Sequence, residues 1–347
     1  MYINVILCYT NNFKDKMSNH TPYSFLDLAI IGEDKSTTDT LYNVLKVAQH
    51  AEQRGFSRLW LAEHHNMPHI ASSATSVLIG YIAGGTSSIR VGSGGIMLPN
   101  HPPLVIAEQF GTLEALYPNR IDLGLGRAPG TDQATALALR RNDFNAANYF
   151  PQQIEELKRF FQVNEGAKVR SFPGEGCDIP MWILGSSTDS AYLAAELGLP
   201  YAFASHFAPD HLLQAANIYR KNFVPSSQLD KPYFMPCVNV IVADTNEQAD
   251  ILATSFYKMF LGIIRNDRKP LQKPCESMEG NWTDYEEYVV RQKTFFSYIG
   301  NKEKVTIELR ELFNAVEIDE IMITTPVYEL SNRLKSIELF SELIQDM

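Results

Sequence analysis

Short apolar runs of strand length recur along this 347-residue chain, each followed by a stretch with helical spacing, and this alternation constrains the fold more than any other feature. The runs fall at 25–31 (FLDLAII), 58–62 (RLWLA), 88–94, 120–126, 180–185, 200–205, 234–243 and 320–325. Behind the first, Leu41, Val44, Leu45, Ala48 and Ala51 repeat at i, i+3, i+4 and i+7, with Asp39 available as a cap and Gly55 as a stop. Pro103 suits the first turn of another helix and Pro118 its end. Eight strands with eight crossovers predict an α/β fold, the (β/α)8 or TIM barrel, with insertions after strands four and seven at 128–148 and 265–300. A doubly wound open sheet is the alternative. Residues 23–347 read as one barrel domain behind an extension, 1–22, whose polar second half makes Met17 a candidate start.

A formal net charge of -10 sets the surface against phosphate backbones and anionic membranes, so neither nucleic acid nor a membrane is an expected partner. The opening run MYINVILCYT lacks the basic flank of a signal peptide and is too short to span a bilayer. Cys8, Cys177, Cys237 and Cys275 are scattered without a CxxC pair, which argues against a disulfide framework and for a reducing cytoplasm.

In a barrel of this kind the chemistry sits where strands end, so those junctions carry the functional reading. After strand two, Glu63, His64, His65 and His69 crowd together. They admit an acid–base histidine, a histidine hydrogen-bonded under a loop, or part of a zinc site; without HExxH or a matching distant ligand set, no metal is expected. Adjacent strand residues face opposite ways, so His64 and His65 should diverge if the strand persists that far. After strand three, Gly92, Gly94 and Gly95 suit either a tight turn or the approach of a planar ring to backbone. After strand four, Gly124-x-Gly126 lacks the rest of a dinucleotide fingerprint, leaving Arg127 for phosphate recognition or for a surface ion pair. After strand five, Gly185, Ser186, Ser187 and Thr188 run straight into a helix, where free N–H groups and hydroxyls, Ser190 included, suit an anion; simple capping would account for one serine. His206 follows strand six.

The blocks RLWLAEHHN, IRVGSGGIMLPNHPPLVIAEQFGTLEALYPNRIDLGLGRAPG and WILGSSTDSAYLAAELGLPYAFASHF, in this order, resemble the bacterial luciferase-like monooxygenase family. The resemblance implies that His64 is the catalytic histidine beside the flavin and that Gly94 and Gly95 occupy a strand-three bulge where the family often has a non-proline cis peptide. It further implies phosphate contacts from Arg127, the backbone around Pro129, and the Gly185, Ser186, Ser187, Ser190 cradle, with Ala29 near the ring. The implied reaction uses reduced FMN from a separate flavin reductase, which with O2 forms a C4a-hydroperoxide in a water-poor cavity and oxygenates a small organic substrate. Gly126 stands where luminous members carry a cysteine, which points to a non-luminous relative. Family analogy and the apolar helices at 72–84 and 103–117 suggest a homodimer. Two other functions share these features: F420-dependent hydride transfer, and flavin binding without catalysis. A metal hydrolase built on the Glu63–His65 cluster is a further, weaker reading.

Overall fold

The computed structural model describes residues 21–128, 130–140 and 145–347. The predicted extension at 1–22 and the proposed start at Met17 lie almost wholly outside the described residues, as does Pro129. Eight parallel strands close into a barrel: β1 (Tyr23–Asp27), β2 (Arg58–Leu61), β3 (Arg90–Ser93), β5 (Ile121–Gly126), β6 (Met181–Gly185), β7 (Tyr201–Phe203), β8 (Phe234–Val242) and β10 (Ile321–Thr324). Closure comes from β10, which pairs with β1 at Tyr23↔Ile321 and with β8 at Met322↔Cys237. The short β4 (Ile96–Met97) continues β3 beyond the Gly94–Gly95 peptide, which is cis, and pairs with β5.

Both faces of these strands are buried, which is why they read as continuous apolar runs rather than as alternation. Leu26, Trp60, Trp182, Ala202, Met235, Cys237 and Met322 fill the barrel. Their neighbours Phe25, Leu59, Leu61 and Phe234 point outward into the larger core beneath the helices. The helices between consecutive strands are α1 (Thr37–Gln53), α2 (Thr75–Gly84), α3 (Pro103–Leu116), α4 (Gln133–Leu139), α5 (Phe150–Phe161), α6 (Thr188–Leu197) and α7 (Leu212–Asn222). Ser36 and Asp39 form a capping box at the start of α1, so Asp39 sits inside the helix instead of before it. Gly55, at φ 79°, turns the chain out of α1.

The first strand stops at Asp27, short of the expected Ile31, because Ala29 adopts φ 51° and breaks the extended run. Residues 30–32 then make only isolated bridges, to Ile70 and Leu271. The insertion after β5 holds α4, capped by Asp132. The insertion after β8 differs from expectation: following α8 (Asn246–Ile264) and α9 (Asp284–Lys293) comes a further strand, β9 (Ser297–Gly300), before α10 (Lys302–Ala315). Strand β8 therefore forks, its lower half pairing with β10 and its upper half, Asn239 to Val242, with β9. Phe256, Phe260, Met278, Val290 and Ile299 form a second, smaller core there. Helix α11 (Leu330–Gln345) closes the circuit.

At the N-terminal end of the strands lies a buried polar network. Arg58 contacts Asp122 and Glu320, each at 2.8 Å, while Arg90 reaches Asp122 at 2.6 Å. Trp60 Nε1 donates to Asp122 at 3.1 Å, Tyr233 donates to Glu320 at 2.8 Å, and Ser24 also bonds Glu320. Asp122 and Glu320 are fully buried.

Candidate active site

At the opposite, C-terminal mouth, the loop after β2 is fixed by Glu63. Its carboxylate is buried and accepts from His65 Nε2 and His101 Nε2, both at 2.9 Å, and from the Met97 N–H at 3.1 Å. These bonds clamp the β2 loop to β4 and to the turn before α3. Burial alone would push the Glu63 carboxyl up, but its hydrogen bonds to His101 and His65 outweigh that and hold it at about 2. A carboxyl held below its unfolded value of 4.5 adds stability above that pH and loses it as the pH falls toward 2. Glu63→Gln is therefore expected to lower the thermal midpoint at pH 7 and to flatten its decline between pH 4.5 and 2, compared across matched melting curves. Glu63, His65 and His101 also bring ligand-type atoms within 4.8 Å of one another, the arrangement nearest to a metal site among the described residues. Their direct pairing already satisfies the carboxylate oxygens.

β2 ends at Leu61, so His64 and His65 both lie in the loop beyond it and the strand period does not set their directions; they differ in partners, Glu63 for His65 and the Gly130 carbonyl for His64. The His64 N–H donates to Ser72 O at 3.0 Å, and its Nδ1 lies 3.3 Å from Gly130 O. A carbonyl can only accept, so this contact places the ring proton on Nδ1 and leaves Nε2 as the basic nitrogen. Burial pushes the His64 imidazole below its ordinary 6.5, which makes it neutral at pH 7. Burial pushes the His206 imidazole down to about 3, and His64 lies near enough to disfavour a charge on it as well. The Nδ1 atoms of His206 and of buried His69 have no hydrogen-bond partner.

Two insertions roof this end. The turn at 130–132 docks on the β2 loop through His65 N–H to Gly130 O at 3.2 Å, Thr131 Oγ1 to His65 O at 2.8 Å, and Asn66 Nδ2 to Asp132 at 3.1 Å. From the other side, Leu271 N–H donates to Ile31 O at 2.8 Å, and Ile31 N–H to His69 O at 2.8 Å. Beneath them, Asp27 accepts the Ala29 N–H at 2.8 Å and pairs with Arg333 at 3.1 Å.

Around β5 and β6 the structure brings Arg127 to the start of α6, where it lies 3.8 Å from Asp189 in an exposed pair. Ser187 occupies the N-cap without its side chain capping the helix, so the first N–H groups keep no partner from the helix or from that hydroxyl. Ser190 is committed otherwise, its Oγ bonding Ser187 O at 2.7 Å and Tyr201 OH at 2.8 Å. A Cβ on Gly185 would strike Ser190. A Cβ on Gly95 would come within 2.7 Å of the Gly124 carbonyl oxygen, so close strand approach requires that glycine, whereas one on Gly94 would meet the movable end of the Leu26 side chain at 2.6 Å. The partnership of Glu63 with His101, 38 positions away, carried no local signal in the sequence.

The luciferase-like monooxygenase family model matches residues 22–314. A luciferase-like monooxygenase of Escherichia coli (strain K12) is 49% identical over 94% of this chain and 97% of its own length. The N-acetyl-S-alkylcysteine monooxygenase of Bacillus subtilis (strain 168) is 34% identical over 92% of this chain and 97% of its own. Among solved structures, apo-MsnO8 superposes with a TM-score of 0.88 at 30% identity, covering 93% of this chain and 98% of that one. At the level of fold alone, the FMN complex of the oxygenating constituent of 3,6-diketocamphane monooxygenase from Pseudomonas putida is similar (TM-score 0.72, 18% identity, 93% of this chain and 97% of that one). So is an F420-dependent secondary alcohol dehydrogenase (TM-score 0.67, 13% identity, 93% and 98%).

Proposed function

This chain belongs to the luciferase-like monooxygenase family, and from that premise we propose that it is an FMN-dependent monooxygenase of a small organic substrate. One observation carries the reading: a half-buried neutral histidine and an uncapped helix N-terminus beside an arginine open on the same barrel mouth. The donor set fits a flavin phosphate, since α6 offers N–H groups, Ser186 and Ser187 offer hydroxyls, and Arg127 offers a guanidinium held only by an exposed pair. In this reading Ala29, Gly94 and Gly95 underlie the ring, while Gly185 and Ser190 shape the turn that presents the phosphate donors. Bound in its reduced form, supplied by a separate reductase, FMN would furnish the electrons that put one atom of O2 into the substrate and release the other as water. His64 Nε2 would move a proton at the reacting atoms, and the two roofs would keep water away.

The name of the Bacillus subtilis relative recommends thioethers as the first substrates to try. A homodimer through α2 and α3 is part of the proposal, supported by Val77, Val105 and Leu116, which those helices expose. No described helix is long and apolar enough to cross a membrane, and a cytoplasmic setting suits the unpaired cysteines among the described residues.

The phosphate assignment predicts that FMN binds roughly 10- to 100-fold more tightly than riboflavin, and that Arg127→Ala narrows the gap, as flavin titration would measure. With reduced FMN and labelled O2, the label is expected in the oxygenated thioether. Binding of F420 in place of FMN would move the chain to hydride transfer, and flavin binding without label transfer would leave a carrier.

A further inference from the structure

Most of the arginines near the mouth already have polar partners. Arg333 is paired with Asp27, Arg127 with Asp189, Arg265 with Glu286, and Arg140 donates to Asn100 Oδ1 at 2.9 Å. Arg268 is different. It sits on the roof segment that Leu271 stitches across Ile31 to His69, and the contact its guanidinium makes is to the Met67 thioether, at 3.8 Å. No carboxylate lies within 4.0 Å of it among the described residues. The acids nearest in sequence are committed elsewhere: Asp267 to Lys269 at 2.6 Å, Asp34 to Lys273, and Glu33 to the Lys273 N–H at 3.2 Å.

Arg268 is itself exposed, but Met67, which it touches, lies on the loop between His64 and His69, and His69 is only 7% exposed with a partnerless Nδ1. The guanidinium is close enough to His64 and His69 to disfavour a proton on either. Two imidazoles and an exposed guanidinium without a carboxylate partner among the described residues thus gather at one rim of a protein whose net charge is -10. A cation that meets only a thioether keeps its capacity for a bidentate carboxylate.

We propose that Arg268 recognises a carboxylate on the substrate, holding its anionic end at the roof while the oxygen-accepting atom faces His64. The assignment deepens the monooxygenase reading and rests on it for the identity of the reaction. It defines the substrate class as small organic acids, and it places selectivity on an insertion rather than on a barrel strand. The phosphate of the flavin is the other anion Arg268 could meet, and the same experiment separates the two.

The test titrates the FMN-loaded chain with N-acetyl-S-methylcysteine and 3-(methylthio)propionate, each against its methyl ester, following heat and flavin absorbance. The acids are expected to bind roughly 10- to 100-fold more tightly than the esters. Arg268→Ala should erase that difference, Arg268→Lys should keep part of it, and ester binding should be unchanged. The effect on turnover should fall on KM and leave kcat nearly intact. The proposal is overturned if the wild-type chain shows no preference for acids, if Arg268→Ala keeps it, or if that variant instead loses discrimination between FMN and riboflavin. Should no flavin bind at all, the monooxygenase reading fails, and the acid–ester comparison on the flavin-free chain still decides the role of Arg268.

Discussion

Replacing His64 with alanine is expected to cut oxygenation of a working substrate by about 100- to 10,000-fold, the range lost when a positioned acid–base group is removed. Flavin affinity should be retained, because the proposed phosphate donors follow β5 and β6, whereas His64 follows β2. The pH profile supplies a second readout. With the His64 imidazole pushed below 6.5 by burial, the acidic limb of kcat/KM should fall below that pH in the wild-type chain and vanish in the variant. An unchanged acidic limb in His64→Ala would assign the proton transfer to another group.

The second large effect concerns stability at the far end of the barrel. Asp122 receives Arg58, Arg90 and Trp60 Nε1, so Asp122→Ala would leave two guanidiniums and an indole N–H without their buried acceptor. Losing one partner of such a pair costs about 3–5 kcal/mol, because the surviving charges stay desolvated. The measurement is the denaturant midpoint at fixed m-value. FMN affinity of the folded variant should match that of the wild-type chain, since the network and the mouth occupy opposite ends of the strands. A loss below 1 kcal/mol would mean that water reaches the network and screens it.

The barrel was legible because parallel strands buried on both faces advertise themselves as apolar runs, and because helix starts such as Thr188 and Asn246 follow turn residues. β9 was not: four residues, Ser297 to Gly300, are too few to display a period between two helical stretches. The end of β1 was missed for a related reason, since nothing about an alanine announces the left-handed backbone that Ala29 adopts. The placement of His64 and Ser187 just beyond strand ends could be read from sequence position. Pairings set by loop docking could not, and Glu63 with His101 or Arg268 with Met67 became visible only in three dimensions.

The fork in β8 has an evolutionary consequence. β8 and β9 each face two ways, Val240, Val242 and Tyr298 into the larger core and Ile241 and Ile299 into the smaller, so substitutions on α8 and α9 reach the barrel chiefly through these two strands. Drift in the helices of the cap is thereby partly separated from drift in the barrel.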